Sequence, residues 1–493
     1  MLVAGIDIGT SAVKAGLFDL SGRQLAGAYQ EYCLESSQPD RVEVDPEIYW
    51  EKAREALMAL LRSGTSPAEV AAIGITSQGE TLITLDQTGK PTGKAIVWLD
   101  TRAIEQAREI QARFGLDRIY RVTGQNEVCP GYTACLIRWL KEHQPERFSQ
   151  TDKFLLVTDY LVYKLTGVVA SSKGLYPSTL YYDVGQERWW PEMLEFLEVQ
   201  TRQLPVLLDA GTAAGRLSNR QLPFSPNTLV CPAPIDQVTA ALGSGNLQSG
   251  TASEATGTAL ALCAVSSRPV FDRKKRFGFF PHAVTGRYLA MPWAPASGSI
   301  LSWFKNQFFT GRNYQELTEE ASRVAPGCDG LILLPHFCGM VCPEKLTAAR
   351  GVFWGLTLQH QRPHFIRAIM EAVAYLLRDY LNLLEENGIV IEKIISLGGA
   401  SKNPFWCQIK ADVCGKMVAS CFLEEAGCLG AAMVAATAAG VFPDCETACL
   451  AMARTGQVYH PDPARTAVYQ ELYRNYRKLN EGARPLFLEV NHG

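Results

Sequence analysis

The chain has 493 residues, 47% hydrophobic and 20% charged, with a formal net charge of -3 and a pI of about 6.2. This is a globular composition with material for more than one core, and length as a soft prior gives roughly two to four domains. Arg273-Lys274-Lys275-Arg276 is the one short basic run and reads as a solvated loop, so charge-driven nucleic-acid binding is not expected.

The N-terminus predicts a hairpin: strand Leu2 to Asp7, turn Gly9-Thr10-Ser11, strand Val13 to Phe18, then a third strand over Gln24 to Tyr32. Pro46 to Leu61 has helical spacing with Asp45 as its N-cap. Val70 to Ser77 and Thr81 to Asp86 read as strands. Thr101 to Phe114, Thr133 to Glu142 and Val157 to Leu165 read as helices. Thr228 to Cys231 is a strand, Asp236 to Leu242 opens a helix, and the small polar run Gly243 to Gly250 suits a linker or surface turn. A second beginning follows: Ser253 to Val265 repeats strand, turn (Thr256-Gly257-Thr258) and strand, a weak internal repeat. Helices are predicted over Pro363 to Glu386 and Gly427 to Ala439, with the strand Lys393 to Leu397 and the loop Gly398-Gly399-Ala400 between them. The last helix sets Tyr469, Leu472, Tyr473, Tyr476 and Leu479 at helical spacing, a packing face that a homodimer contact would equally use.

Met1 to Ile6 is apolar but lacks a positive flank and a cleavage site, and no stretch is long enough to span a bilayer. A cytoplasmic protein without membrane contacts is expected. The 14 cysteines are expected as thiols. Cys407, Cys414, Cys421 and Cys428 recur every seven residues, but that run crosses a helix and a strand, and no metal–thiolate site is expected there or at Cys338 and Cys342.

Strand-turn-strand units built on Gly and Thr present backbone N–H groups to phosphate oxygens. Asp7, at a strand end, is placed to hold a hard cation bridging two phosphates. Set against each other, the two turns align Asp7 with Ala255, so only the first carries a carboxylate. Phosphoryl transfer also needs an acceptor for the proton of the attacking hydroxyl, and Asp236 is the best-placed carboxylate, a role compatible with capping its own helix.

Taken in order, these residues resemble the FGGY family of carbohydrate kinases within the actin, sugar kinase and Hsp70 superfamily. Asp7-Ile8-Gly9-Thr10-Ser11 resembles the first phosphate motif, and Thr256-Gly257-Thr258 the second. Thr76 to Thr81 occupies the place of the sugar-contacting segment, and Trp98-Leu99-Asp100-Thr101-Arg102 resembles the Trp-x-Asp-x-Arg element. Asp236-Gln237 resembles the catalytic pair, Gly351 to Glu371 the C-terminal signature, and Gly398 to Asn403 the adenosine motif.

The resemblance implies an α/β protein of two actin-like (ribonuclease H-like) domains, each around a mixed five-stranded sheet, joined across a cleft. Residues 1–245 would form a sugar-binding domain with the catalytic aspartate, and 246–493 an ATP-binding domain. It implies ATP and Mg²⁺ as cofactors. Asp236 would be the general base, with Asp7 and Asp236 toward the metal, directly or through water. Gln78, Gly79, Glu80, Asp100, Tyr132, Asp236 and Gln237 would contact the sugar. Gly9, Thr10, Ser11, Lys14, Thr256, Gly257, Thr258, Gly298, Gly398, Gly399, Ala400 and Asn403 would contact the nucleotide.

Pro130 to Ala134 and Ile137 to Glu146 look like the xylulokinase subgroup, whereas Gln78-Gly79-Glu80-Thr81 keeps part of a glycerol-kinase-like element with Gly79 in the place of its arginine. The expected activity is ATP-dependent phosphorylation of a small sugar or polyol, a ketopentose such as xylulose first. Erythritol, gluconate, glycerol and a catalytically slow nucleotide-dependent binding protein are the alternatives. A glycine at 79 is expected to leave room for a substrate longer than glycerol.

Overall fold

The computed structural model describes residues 1–489, which divide into two compact units. The first comprises Met1–Leu247, Gly278–Leu289 and Glu425–Arg454. The second comprises Gln248–Phe277, Ala290–Glu424 and Thr455 onward.

The first unit is built on a mixed sheet. Its spatial order is Gly215–Arg216, Leu229–Pro232, Val70–Ser77, Leu2–Ile8, Ala12–Phe18 and Gln24–Glu31, that is, the expected five strands plus a two-residue edge strand. The strands Leu2–Ile8, Val70–Ser77 and Leu229–Pro232 run parallel to one another, and the remaining pairs are antiparallel. Apolar residues on both faces mark the central strands: Val3, Ala4, Ile6, Ile8, Ile73 and Ile75 are almost wholly buried. The Pro46–Leu60 helix starts where predicted, with the Asp45 carboxylate accepting from Glu47 N at 3.0 Å, and its face of Tyr49, Trp50, Ala53, Leu57 and Leu60 is buried. The helix predicted from Thr101 begins only at Ile104, because Asp100 and Arg102 bond to each other and hold the preceding turn open. The strand predicted over Thr81 to Asp86 is reduced to Ile83–Leu85.

The second unit repeats the pairing pattern. Five consecutive strands of its eight-stranded sheet are Leu260–Ser266, Thr251–Thr256, Lys393–Leu397, Met417–Cys421 and Thr455–Tyr459, with successive pairs antiparallel, parallel, parallel and antiparallel. The same succession runs from Ala12–Phe18 to Gly215–Arg216 in the first unit. Its core is dominated by the Arg362–Glu386 helix, against which the last helix lays Tyr469, Tyr473 and Tyr476 around Tyr375. The tyrosine stripe is therefore a packing face within this unit.

The two compact units are not each one continuous stretch of chain. The chain does change units after Leu247, but Gly278–Leu289 and Glu425–Arg454 return to the first unit. Nor is Gly243 to Gly250 a surface linker throughout: Gly243, Ser244, Asn246 and Leu247 are buried, and only Gln248 and Ser249 are exposed. The reason lies in the Ala426–Ala438 helix, whose sequence is almost all small residues. It approaches the first sheet and the Asp236–Gly243 helix at backbone distance. A Cβ on Gly5 would stand 1.8 Å from Cys428 O, one on Gly74 1.9 Å from Ala431 O, and one on Gly243 1.9 Å from Ala426 O. Side chains are excluded at each crossing, so Gly5→Ala or Gly74→Ala must push the helix off the sheet. Each is expected to cost about 1–3 kcal/mol or more of stability by overpacking. A urea midpoint equal to that of the parent protein for both variants would contradict this packing.

The cysteines of the seven-residue run fall on the Pro404–Cys414 helix (Cys407, Cys414), a strand (Cys421) and the next helix (Cys428), and so share no face. No helix among the described residues is long and apolar enough to cross a membrane.

Candidate active site

Ligand sites in sheets of this kind form beyond the carboxyl ends of parallel strands. In the first unit three such ends adjoin. Leu2–Ile8 ends beside Asp7, Val70–Ser77 leads into Gln78-Gly79-Glu80, and Leu229–Pro232 leads into Asp236 at the first turn of the Asp236–Gly243 helix. Asp7 pairs with Thr76 across the first two. Thr76 Oγ1 donates to Pro234 O at 2.6 Å, and Thr239 Oγ1 donates to the same carbonyl at 2.8 Å, which fixes the loop that delivers Ile235 and Asp236. The helix is capped at Ile235. Asp236 is its first residue and accepts from Gln237 N at 2.6 Å, so Gln237 acts here through its amide.

Asp7 and Glu80 both act on Asp236. Burial pushes Asp236 up to about 8; the negative charges of Asp7 and Glu80 add to this, and the Gln237 N–H opposes it. Asp7 rises to about 6, chiefly by burial, with Lys14 pulling it down and Glu425 pushing it up. Glu80 is raised by burial, against a lowering effect of the Ser178 hydroxyl. Asp7 Oδ1 is buried and has no hydrogen-bond partner. A pair of mutually repelling acids with an unsatisfied oxygen has the donor chemistry a hard divalent cation takes.

Around these groups, Gln78 donates from Nε2 to Tyr49 OH at 3.0 Å while its Oε1 is buried without a partner. Tyr132 lies near Glu80, and its hydroxyl is held neutral, first by burial and then by neighbouring negative groups including Glu80. Two expectations need correction. Asp100 is not offered to a ligand: it is wholly buried and accepts from Val42 N at 2.7 Å, Arg102 N at 3.0 Å, Arg102 Nε at 2.8 Å and Arg102 Nη2 at 2.7 Å. Gly79 does not leave room: a Cβ there would stand 2.6 Å from Ile235 Cδ1 and 3.4 Å from Ser178 Oγ. Gly79→Ala is therefore expected to lower turnover of the sugar at least tenfold, and adding Ile235→Ala to regain part of it, by relieving the contact. Steady-state kinetics of the single and double variants check this, and a double variant no better than G79A refutes the steric pairing.

At the first turn, Gly9 N donates to Ala12 O at 2.9 Å, Gly9 O accepts from Tyr32 OH, and Thr10 Oγ1 accepts from the Trp98 indole at 3.1 Å. The amide of Gly9 is thus engaged within the turn. Lys14 is paired with Glu425 at 2.8 Å.

In the second unit, Thr251–Thr256 and its parallel neighbour Lys393–Leu397 carry the turn Thr256-Gly257-Thr258 and the loop Gly398-Gly399-Ala400 at one edge. Thr256 is buried and its hydroxyl donates to Glu254 Oε2 at 2.6 Å, and the Gly257 amide donates to Ala259 O at 3.0 Å, so both are engaged within the turn. Glu254 and Lys410, both wholly buried, form an ion pair behind it, joined by Ser396 Oγ. Gly298 opens the Gly298–Phe308 helix against the turn, where a Cβ would stand 2.6 Å from Gly257 O. Gly398 (φ 70°) and Gly399 have nothing within 4 Å of where a Cβ would be, an open backbone that a flat ring can cover. The Asn403 carboxamide oxygen caps the Pro404–Cys414 helix, accepting from Trp406 N at 3.0 Å.

Comparison with known proteins decides the family. Residues 2–243 match the N-terminal domain model of the FGGY family of carbohydrate kinases, and residues 255–439 match its C-terminal domain model. The chain belongs to the FGGY family of carbohydrate kinases. It is an ATP-dependent sugar kinase. It is 30% identical to a xylulose kinase of Lactococcus lactis over 97% of this chain and 96% of that one. Among solved structures it is similar to a ligand-bound xylulose kinase and to a gluconate kinase, both from Lactobacillus acidophilus. Each is 25% identical, with a TM-score of 0.90 over 98% of both chains.

The most specific FGGY resemblance in the sequence, Gly351 to Glu371, turns out to be architectural at its end. Arg367 and Glu371 are buried and bonded at 2.7 Å. Arg367 donates to Tyr469 OH at 2.8 Å, and Glu371 accepts from Gly327 N at 3.2 Å, which ties the long helix to the last one. Sequence reasoning missed Ser178, Ile235 and the Glu254–Lys410 pair. The one available signal was the aliphatic residue immediately before Asp236.

Proposed function

We propose that this FGGY kinase phosphorylates a hydroxyl of a ketopentose such as xylulose, with Asp236 as general base. The observation that carries the reading is the convergence of Asp236, Asp7, Glu80 and Gln78 beyond the ends of three adjoining parallel strands, with the carboxyls buried and Asp7 and Glu80 both raising Asp236. The xylulose kinases named among its relatives support the choice of sugar.

The first unit is assigned to the sugar. Gln78 Oε1 and Glu80 accept hydrogen bonds from sugar hydroxyls, and Tyr132 adds a third polar contact. Asp236 takes the proton of the attacking hydroxyl, whose oxygen bonds to the γ-phosphorus as the β–γ bridging P–O bond breaks and ADP leaves. A magnesium ion held by Asp7 and Asp236, directly or through water, would draw charge from the phosphate oxygens and keep both carboxylates ionised. The amides of Thr10, Ser11 and Thr258 are assigned to phosphate oxygens, Gly257 to the close backbone approach its lack of a side chain allows, and Gly398-Gly399 to the adenosine. Bound phosphate would compete with Glu425 for Lys14.

An ADP-release assay over D- and L-ketopentoses, erythritol, gluconate and glycerol tests the assignment. The highest kcat/KM is expected for a ketopentose. ADP release that no compound raises above background would sink it.

A further inference from the structure

Ser178 sits in the Pro177–Thr179 turn, directly before Leu180, whose backbone is left-handed (φ 71°) although the residue is a buried leucine. That conformation is unfavourable for a residue with a side chain and persists only where the surroundings impose it. The turn is held by Thr179 Oγ1 donating to Tyr176 O at 2.6 Å. It presses Ser178 against the strand end that carries Gly79 and Glu80. Ser178 is 1% exposed, and its hydroxyl has no well-formed hydrogen bond, although it lies close enough to Glu80 to act on that carboxyl. Gln78 Oε1, on the same segment, is likewise buried and unpartnered. Buried polar atoms without partners are rare, and two at the strand end that carries Gly79 and Glu80 mark the place where a ligand would supply the missing bonds.

We propose that Ser178 is a substrate-contacting residue, and that with Gln78, Glu80 and the wall formed by Ile235 it selects an uncharged polyhydroxylated substrate over a sugar acid. The proposal rests on the kinase reading above and narrows it. The polar atoms of this pocket are mostly acceptors: Gln78 Oε1, the Glu80 carboxyl and the Asp236 carboxyl. Neighbouring hydroxyls of a neutral sugar bring the donors they lack, and the Ser178 hydroxyl can take either role. The carboxylate of a sugar acid brings only acceptors. It would meet Glu80 and Asp236, and among the described residues no cationic side chain figures in the shift of either carboxyl. Gly79 belongs to the same device, since the Ile235 methyl fills the space a longer side chain would need.

Two measurements test this. Ser178→Ala is expected to raise KM for the ketopentose roughly fivefold to tenfold, with KM for ATP and the melting temperature unchanged. A purely structural serine would instead shift the melting temperature or leave both KM values alone, and either result overturns its role. In the parent protein the neutral ketopentose is expected to exceed gluconate in kcat/KM by at least about a hundredfold, and Glu80→Gln to narrow that ratio at least about tenfold by removing the repelling charge. Gluconate turned over as well as the ketopentose overturns the selectivity and leaves the kinase reading standing. Activity with no sugar overturns both.

Discussion

Asp236→Asn is expected to lower kcat with the preferred sugar by about 10²–10⁴-fold while nucleotide binding is retained. The amide keeps the shape of the side chain and its contact with Gln237 N, but it cannot take the proton of the attacking hydroxyl. The same change is expected to stabilise the folded chain. Burial and two neighbouring acids hold the carboxyl near 8, against about 3.9 in an unfolded chain. A group whose pKa is raised on folding contributes its stability below the unfolded value and loses it as the pH climbs toward the folded one. The parent protein, freed of divalent metal with chelator, should therefore lose stability between pH 4 and pH 8. The variant should hold more of it, by about 2–4 kcal/mol at pH 8 after allowance for relaxation around the charge. Thermal melts of both proteins across that range, set beside their turnover, check the two halves together. An Asn variant that is inactive but also unstable would point to misfolding and not to loss of the base.

Lys410→Met carries the second large effect. Lys410 and Glu254 are wholly buried, and the carboxylate also accepts from Ser396 and Thr256. Removing one member of such a pair leaves the other charged or protonated in an apolar interior, which costs about 3–5 kcal/mol. Chemical denaturation should show this as a lowered midpoint. Replacing both residues, as Glu254→Gln with Lys410→Met, should recover much of the loss, because no charge is then stranded. The network also anchors the Thr256 side chain and through it the backbone of the turn, so KM for ATP should rise in the double variant even where stability returns. Full recovery of stability with unchanged KM for ATP would mean that the pair serves packing alone.

Much of the scaffold was legible because the signals were local. Val70 to Ser77 and Lys393 to Leu397 are short apolar runs with turn residues behind them, and both are strands to the residue. Asp45 is followed by a proline and an amphipathic face, and it caps as expected. Asp236 could be placed because strand, loop and helix follow one another within a few residues. What escaped depends on partners remote in the chain. Asp100 looks like a free acid until Val42 and Arg102 are seen to saturate it. Gly79 looks like an opening until Ile235 is found across from it. Glu254 and Lys410 lie 156 residues apart, and nothing near either announces the other. The same holds for Glu425–Arg454, whose place in the first unit rests on close backbone contacts with glycines hundreds of residues earlier.

That small-residue helix has a consequence for biosynthesis. The sheet of the first unit is made from residues that leave the ribosome early, but the Ala426–Ala438 layer that covers it emerges only after most of the second unit has been translated. Until then the nascent first half holds an apolar face without its cover, at a synthesis rate of about 5–20 residues per second, for tens of seconds. Completing this unit thus waits on nearly the whole chain, and a fragment ending near residue 247 is expected to be a client of chaperones and not an independently folding domain.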